Sequence, residues 1–169
     1  MATINATMGI KRLCYAPVNT SDPKTMPASG FKDVDVYQDT GSFQDNDPET
    51  TEHVSETSSK KIILNKKVAG TLAFSIMDPT FEELVAFQGG TLDADKNTYS
   101  EPTSVKNIAL ALIVIPEDGK ALRIPSANIV AKKNTTYSAT GITLLEVTAT
   151  PEYGTLLTTD VTIPGETNS

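Results

Sequence analysis

The chain has 169 residues, a net charge of −7, 38% hydrophobic residues, one His, one Cys and no Trp. This length suits one domain with an apolar core over residues 1–169, whereas one Cys excludes an internal disulfide and, with one His, excludes a Cys/His zinc site. The apolar runs are too short to span a membrane and the first residues lack the layout of a signal peptide, so we expect a cytosolic product that is soluble when made.

The first third of the chain predicts little regular structure. An apolar run at residues 10–16 predicts a strand, and the segment after it has three prolines and many small polar residues. Residues 34–37 predict a second, short strand. Residues 44–59 are polar almost throughout, which favours either a disordered loop or a hairpin that a neighbour orders. We expect extended loop or arm segments near residues 17–33 and 38–60.

One short helix is predicted, directly after a strand. In that strand, residues 71–77, large apolar side chains alternate with small or polar ones, which is typical of a strand with one buried face. Asp78 then offers an N-cap oxygen, and Pro79 suits the first helical position. Because Gly89 begins a Gly-Gly stop, the sequence predicts an amphipathic helix over residues 79–88.

Strands dominate the rest of the chain. The segment at residues 107–115 is apolar on both faces and predicts a buried central strand. Seven or eight strands and one helix in this order predict a mainly β fold, an antiparallel β-sandwich or small barrel with one flanking short helix and a long polar loop or arm. The other predicted strands lie at residues 61–65, 124–132, 142–150 and 155–163.

The negative charge is concentrated in one segment, residues 33–56, which contains eight acids and no Lys or Arg. The rest of the chain carries 13 acids and 14 bases. Duplex DNA is bound through basic surfaces, so the sequence argues against sequence-specific DNA binding. DNA that slides past without sticking is compatible with an acidic surface, because like charges repel. The eight acids are Asp33, Asp35, Asp39, Asp45, Asp47, Glu49, Glu52 and Glu56.

No group of residues favours an enzyme. Residues 93–97 begin like a calcium-binding EF-hand loop, but Thr98 stands where that motif needs Gly, and Ser104 stands where it needs Glu. We interpret this segment as a solvated loop. His53 and Cys14 lack the sequence context of a catalytic or metal-binding residue, and Cys14 is interpreted as a buried packing residue. The sequence predicts a protein without catalytic residues, cofactor or metal site.

The order of the predicted elements from residue 49 onward carries a family resemblance. A polar stretch precedes the strand at residues 71–77, which ends in Asp-Pro and is followed by one short helix and a Gly-Gly stop. The later runs IPSANIV, residues 124–130, and ITLLEVTATP, residues 142–151, are similar to a closing pair of strands. Over residues 49–163 this pattern resembles the major tail tube proteins of long-tailed bacteriophages.

The resemblance implies an assembly as well as a fold. The fold is shared with the tube proteins of contractile tails and of type VI secretion. In that family, rings of six subunits stack into a hollow tube that conducts DNA into the host, and a long loop reaches adjacent subunits or rings. The expected partners are copies of the chain itself and other tail proteins such as the tape measure and terminator, with non-specific passage of DNA and no membrane. The expected location is the virion tail, and the host cytoplasm during assembly.

Two hypotheses account for the acidic segment. Its acids either repel DNA in the lumen of the tube or meet a basic surface on the next subunit.

The main alternative to a tail tube is another virion structural protein on a similar sandwich, such as a tail terminator, a head–tail connector or a capsid decoration protein. A carbohydrate-binding module is disfavoured, because aromatic residues are only 6% of the chain. The candidate basic partners are Lys60, Lys61, Lys66, Lys67, Lys132 and Lys133.

Overall fold

The structure is a computed structural model that describes residues 9–166. These residues form one helix, α1 (Phe81–Gln88), and twelve strands that pair antiparallel. The mainly β, sandwich-like fold with one short helix confirms the predicted fold class. The strands are β1 (Arg12–Pro17), β2 (Lys32–Asp33), β3 (Ser42–Gln44), β4 (Glu49–Val54), β5 (Lys61–Lys66), β6 (Thr71–Met77), β7 (Thr91–Leu92), β8 (Tyr99–Ser100), β9 (Ile108–Ile115), β10 (Ala121–Thr135), β11 (Thr143–Pro151) and β12 (Leu156–Thr158).

The largest sheet has eight strands, and its two edges are joined. The strands lie in the order β2-β1-β9-β10-β11-β6-β3, and β12 pairs with β10. Residues 32–37 join the two sides, because β2 pairs with β1 and Val36 then bridges to Ile76 of β6. A hydrogen bond of 2.8 Å from the Tyr37 N–H to the Ser75 carbonyl strengthens this bridge. The main sheet therefore closes into a small barrel.

The main apolar core lies where the strands of this sheet and the helix meet. On β6, the side chains of Leu72, Phe74 and Ile76 are fully buried, as the predicted alternation requires. The helix adds Leu84 and Phe87 to the same cluster. Burial of a side chain of this size contributes about 1.5–3 kcal/mol, so the helix is held mainly by its packing on the sheet.

A second apolar cluster covers the opposite face of β1 and β9. Cys14 of β1 and Ile113 of β9 pack there with Ile163. Met26 and Phe31 pack against the same cluster from the segment that connects β1 to β2. Strand β9 is thus buried on both faces, which its continuous apolar run predicts.

The helix begins later than predicted, and Asp78 is not its N-cap. The N-cap is Thr80, whose hydroxyl accepts a hydrogen bond from the Glu83 N–H, while the Glu83 carboxylate accepts one from the Thr80 N–H, both at 3.2 Å. Asp78 has a φ of 46°, which is incompatible with the extended backbone of an N-cap. The Thr-x-x-Glu capping box is the stronger signal in this sequence. Gly89 ends the helix with a φ of 86°, at the predicted stop, although its ψ of −164° is not left-handed helical.

Replacing Thr80 with Ala is expected to lower the free energy of unfolding by about 1 kcal/mol, because the Glu83 N–H loses its acceptor. Urea denaturation followed by circular dichroism measures this change. Thr80→Ser keeps the hydroxyl and serves as the matched control. An unfolding midpoint that is the same for the Ala and Ser variants would show that the capping box does not stabilise the helix.

The predicted strand at residues 155–163 is wrong beyond Thr158. Its regular part, β12, has three residues, and both of its leucines, Leu156 and Leu157, are exposed. The carboxylate of Asp160 accepts hydrogen bonds from the Thr162 N–H at 2.9 Å and from the Thr162 hydroxyl at 2.6 Å. Such local bonds compete with strand pairing, so the alternating pattern does not continue as a strand.

The predicted number of strands, seven or eight, is too low for the twelve that residues 9–166 form. Three of the four extra strands, β3, β7 and β8, have two or three residues and are too short to show a period in sequence, and the fourth, β4, has six residues in the polar segment. The predicted strand at residues 34–37 is wrong in position: the paired residues are Lys32–Asp33, and Val36 makes only an isolated bridge.

Strand β10 is longer than the predicted range of residues 124–132 and runs through Pro125. Its register against β9 shifts between Ile124 and Ala127. A bulge of this kind accommodates a proline, because the residue that lacks an N–H falls where the ladder is interrupted. The strand can therefore continue for fifteen residues and extend past the end of β9.

Candidate self-association surface

A two-stranded hairpin stands outside the main sheet. Within residues 9–166, strands β4 and β5 pair only with each other, and every residue in both strands is exposed. The polar segment at residues 44–59 thus enters a hairpin, which is one of the two predicted alternatives. A two-stranded hairpin alone is at best marginally stable in water. A partner that covers it would supply the missing stabilisation.

Both faces of this hairpin carry exposed aliphatic side chains. Ile62 and Leu64 lie on one face and are 46% and 55% exposed. Ile63 and Val54 lie on the other face and are 54% and 64% exposed. Adjacent exposed aliphatic residues are a feature of interaction surfaces. We call the exposed aliphatic residues of the hairpin, Val54, Ile62, Ile63 and Leu64, the hairpin surface.

The charged residues of the hairpin are matched across its two strands. The Lys61 Nζ lies 2.5 Å from the Glu52 carboxylate, and Lys66 lies opposite Glu49 in the ladder. Both partners of the Lys61 pair are about half exposed, so the pair contributes no more than about 1 kcal/mol. Two of the predicted basic partners therefore face acids of their own hairpin within the subunit.

The eight predicted acids are spread over several elements, and all of them are exposed. Glu49 and Glu52 lie in β4, and Glu56 lies in the turn of the hairpin. Asp33 lies in β2, where it is bound by Arg12. The remaining four lie in the connections between β2 and β4, namely Asp35, Asp39, Asp45 and Asp47.

The predicted basic residues lie in two regions. Lys60 and Lys67 flank β5, whereas Lys132 and Lys133 belong to β10. The Lys132 Nζ lies 3.5 Å from the Glu146 carboxylate, and Lys133 contacts Glu101. Two lysines thus pair with acids outside the acidic segment, and the role of all six at a subunit interface stays a prediction.

Both arginines of the chain hold its last described segment. The Arg12 guanidinium donates hydrogen bonds of 2.9–3.1 Å to the carboxylates of Asp33 and Glu166. Arg123 donates one of 2.9 Å to the Thr162 carbonyl. The hydrogen bonds from Arg12 are the main reason why the pKa of Asp33 lies below its ordinary value. The segment after β12 is therefore fixed to the sheet by charged contacts.

Replacing Arg12 with Ala is expected to lower the free energy of unfolding by about 1 kcal/mol at pH 7, since these ion pairs are partly exposed. Because the folded-state pKa of Asp33 is lowered, the stabilisation is present above its unfolded pKa, about 3.9, and is lost as the pH falls through the folded value. Urea denaturation at pH 7 and at pH 3 measures the loss of unfolding free energy and its decrease at low pH. Lys11→Ala is the control. A difference from wild type that stays equal at both pH values would contradict the role of Asp33.

Cys14 is buried, as predicted for a packing residue. Its thiol donates a hydrogen bond of 2.8 Å to the Asp33 carboxylate. Burial, together with this carboxylate, raises the pKa of Cys14 to about 12. The thiol is therefore protonated and unreactive near neutral pH.

The segment at residues 93–97 is a closed turn. One carboxylate oxygen of Asp93 accepts hydrogen bonds from the Asn97 and Thr98 N–H groups at 2.9 and 3.1 Å. Across residues 9–166, no three His, Cys, Asp or Glu side chains are grouped so as to hold a metal ion. In the same part of the chain, no helix is long and apolar enough to cross a membrane.

The aliphatic residues of β5 are missing from the predicted site residues. The sequence shows Ile62, Ile63 and Leu64 only as a short β-rich run, which equally suits a buried strand. A usable signal is the composition of the strand that precedes them: β4 is polar at five of its six positions and so offers no apolar face to cover. Because side chains of paired strands point to the two faces of the sheet, a polar β4 leaves neither face of the hairpin with a continuous apolar surface that could pack on the core.

Neither a protein-family model nor a curated protein significantly matches this chain. Its function is therefore proposed from the fold and from the hairpin surface.

Proposed function

We propose that this chain is a structural virion protein that self-assembles into stacked hexameric rings and forms a phage tail tube, a conduit for DNA ejection into the host. The observation that carries the proposal is the exposed β4–β5 hairpin, whose aliphatic side chains are left uncovered by the described residues of the chain. When each subunit offers such a hairpin and also receives one, the contact repeats and generates rings or stacks. The order of strands, helix and Gly-Gly stop supports a tail tube among such assemblies.

The distribution of charge supports passage of DNA through such an assembly. The eight acids of residues 33–56 are all exposed, and the chain carries a net charge of −7. Acidic surfaces repel phosphate, so DNA can move along them without being retained. A tube that has to release a genome quickly needs such a surface.

Negative-stain electron microscopy and sedimentation velocity of the concentrated protein test the proposal. We expect rings of six subunits at intermediate concentration and rods at high concentration, with sedimentation coefficients that rise accordingly. A monomer at every concentration and salt condition would contradict the proposal.

A second candidate is another virion structural protein on a similar fold, namely a tail terminator, a head–tail connector or a capsid decoration protein. The closure of the main sheet through residues 32–37 favours it, because a closed barrel leaves few long sheet edges for an open-ended tube. This candidate predicts a single ring or a trimer that does not stack. The same micrographs therefore separate the two candidates.

Charge reversal distinguishes the two hypotheses for the acids. Asp45, Asp47 and Glu56 form no ion pair within the described residues, so replacing all three with Lys leaves the hairpin's own pairs intact. If these acids bind the next subunit, the concentration needed for assembly rises by about tenfold or more. If they line the lumen, tubes form normally but particles that carry the variant eject DNA poorly.

The control for this experiment reverses an equal amount of charge elsewhere, with Lys at Asp95, Glu117 and Asp118. These residues are exposed and lie outside the acidic segment. Normal assembly together with normal ejection in the first variant would refute both hypotheses.

A further inference from the structure

Strand β10 has an unpaired edge over its last six residues. Strand β9 pairs with β10 only as far as Ile129, which lies opposite Ile108. Strand β11 occupies the other edge of β10 as far as Thr135. Within the described part of the chain, no strand pairs with the β9 side of residues 130–135. Unpaired N–H and C=O groups along such an edge are a template for an added strand.

A groove of about 410 Å³ borders the start of this edge. One wall is residues 101–107, the loop that leads into β9, so the groove lies on the unpaired side of β10. The other wall includes four successive residues of β10, residues 128–131. Asn128 and Ile129 are still paired with β9, whereas Val130 and Ala131 begin the free edge and point to opposite faces, so the groove reaches the first two residues of that edge.

A polar atom without a partner lies at the same groove. Gln88, the last residue of α1, lines the groove, and its side-chain Oε1 is buried without a hydrogen-bond partner among residues 9–166. A buried acceptor that lacks a donor is unfavourable, and native structures leave few of them. A strand that enters the groove brings N–H donors. Because this atom is shielded from solvent in the subunit, the Gln88 side chain has to rotate toward the groove before an incoming N–H can reach it.

We propose that this groove receives β5 of a second copy of the chain, which adds as a further strand along the free edge of β10. The inference rests on the proposed function in one respect, that the partner is another copy. Strand β5 has six residues, which is the length of the free edge, and no strand of the described chain pairs with its side away from β4. Its exposed aliphatic residues lie on both faces, and the groove meets the first two residues of the free edge, whose side chains also point to both faces.

The charges of the two strands permit this approach. Lys61 of β5 pairs with Glu52 of its own hairpin. Lys132 and Lys133 of β10 pair with acids of their own subunit. Like charges that face each other across strands are destabilising, and this repulsion is reduced because these three lysines each contact an acid of their own subunit and Lys66 of β5 lies opposite Glu49 in the hairpin. The remaining contact between the strands is made by backbone hydrogen bonds and aliphatic side chains.

Disulfide cross-linking tests the inference on the full chain. Ile63→Cys is combined in turn with a Cys substitution at each of residues 130–135, which covers the registers that place Ile63 opposite the free edge. Cys14 is buried and stays protonated, so it does not interfere. The control pair combines Ile63→Cys with Leu157→Cys on the exposed strand β12. Under mild oxidation of assembled protein, we expect at least one β10 pair to give about tenfold more cross-linked oligomer than the control.

Gln88→Leu supplies a second measurement. It removes the unpartnered acceptor, so the unfolding midpoint of the dissociated subunit is expected to stay the same or rise. The concentration needed for assembly is expected to rise by about fivefold to tenfold, because the incoming strand loses a hydrogen bond.

The outcomes separate this inference from the proposed function. If rings or rods form normally but the β10 cysteine pairs cross-link no better than the control pair, the inference is overturned and the proposed function is not. Assembly of Gln88→Leu at the wild-type concentration argues against the groove as the contact. Absence of any assembly in the wild-type protein overturns both the inference and the proposed function.

Discussion

Replacing Ile62, Ile63 and Leu64 together with Thr is expected to abolish ordered assembly while the barrel stays folded. These side chains are about half exposed in the subunit and lie outside both apolar clusters. Covering them in an assembly contributes about 1–2 kcal/mol each. Their loss therefore raises the concentration needed for assembly by a factor of about a hundred or more. Thr preserves the preference for a strand, so the hairpin keeps its backbone.

Sedimentation velocity and electron microscopy measure the loss, and urea denaturation shows whether the subunit is still stable. The matched control replaces three other exposed aliphatic residues with Thr, namely Leu156, Leu157 and Val161. We expect this control to assemble like wild type. If both triple variants lose assembly equally, general surface hydrophobicity drives association and the hairpin surface has no special role. If the first variant assembles at the wild-type concentration, the hairpin is not a contact.

The parts of the fold that could be predicted from sequence are those in which one chain segment carries its own signal. Strand β6 alternates because one of its faces is buried, and the observed range, Thr71–Met77, equals the predicted one. Strand β9 is apolar throughout because it is buried on both faces. The end of the helix follows from Gly89, which adopts a positive φ.

The parts that could not be predicted depend on contacts between distant segments or on short local bonds. Residues 32–37 close the barrel through pairs with β1 and β6, and neither pair leaves a period in the sequence. Residues 155–163 do alternate, but the hydrogen bonds of Asp160 end the strand early.

The candidate surface was predictable only in part. The acidic segment is visible as a charge pattern, and a hairpin in residues 44–59 is one of the two predicted alternatives. The role of β5 is hidden, because a run such as Ile62-Ile63-Leu64 looks the same whether its cover comes from its own chain or from another. Only the placement of the hairpin outside the main sheet shows that its own chain leaves this run exposed.

Replacing Phe87 with Ala is expected to lower the free energy of unfolding by about 3–5 kcal/mol, the largest effect on the subunit itself. Phe87 is 1% exposed and packs edge to face on Tyr15, with 4.8 Å between ring centroids, and on Phe74, with 6.1 Å. Truncation to Ala removes both aromatic contacts and leaves a cavity between the helix and strands β1 and β6. Thermal unfolding is expected to shift down by about 6–20 °C for a chain of this length.

Phe81→Ala on the same helix is the matched control, because it removes the same ring from an exposed position. Phe81 is 41% exposed and stacks on Tyr99 at 6.2 Å, so its loss is expected to cost no more than about 1 kcal/mol. Equal effects of the two substitutions would show that the helix is not anchored through Phe87. Because Phe87 and Gln88 both line the groove beside β10, a loosened helix also disturbs that groove. Phe87→Ala is therefore expected to weaken assembly even below its unfolding temperature, whereas Phe81→Ala leaves assembly unchanged.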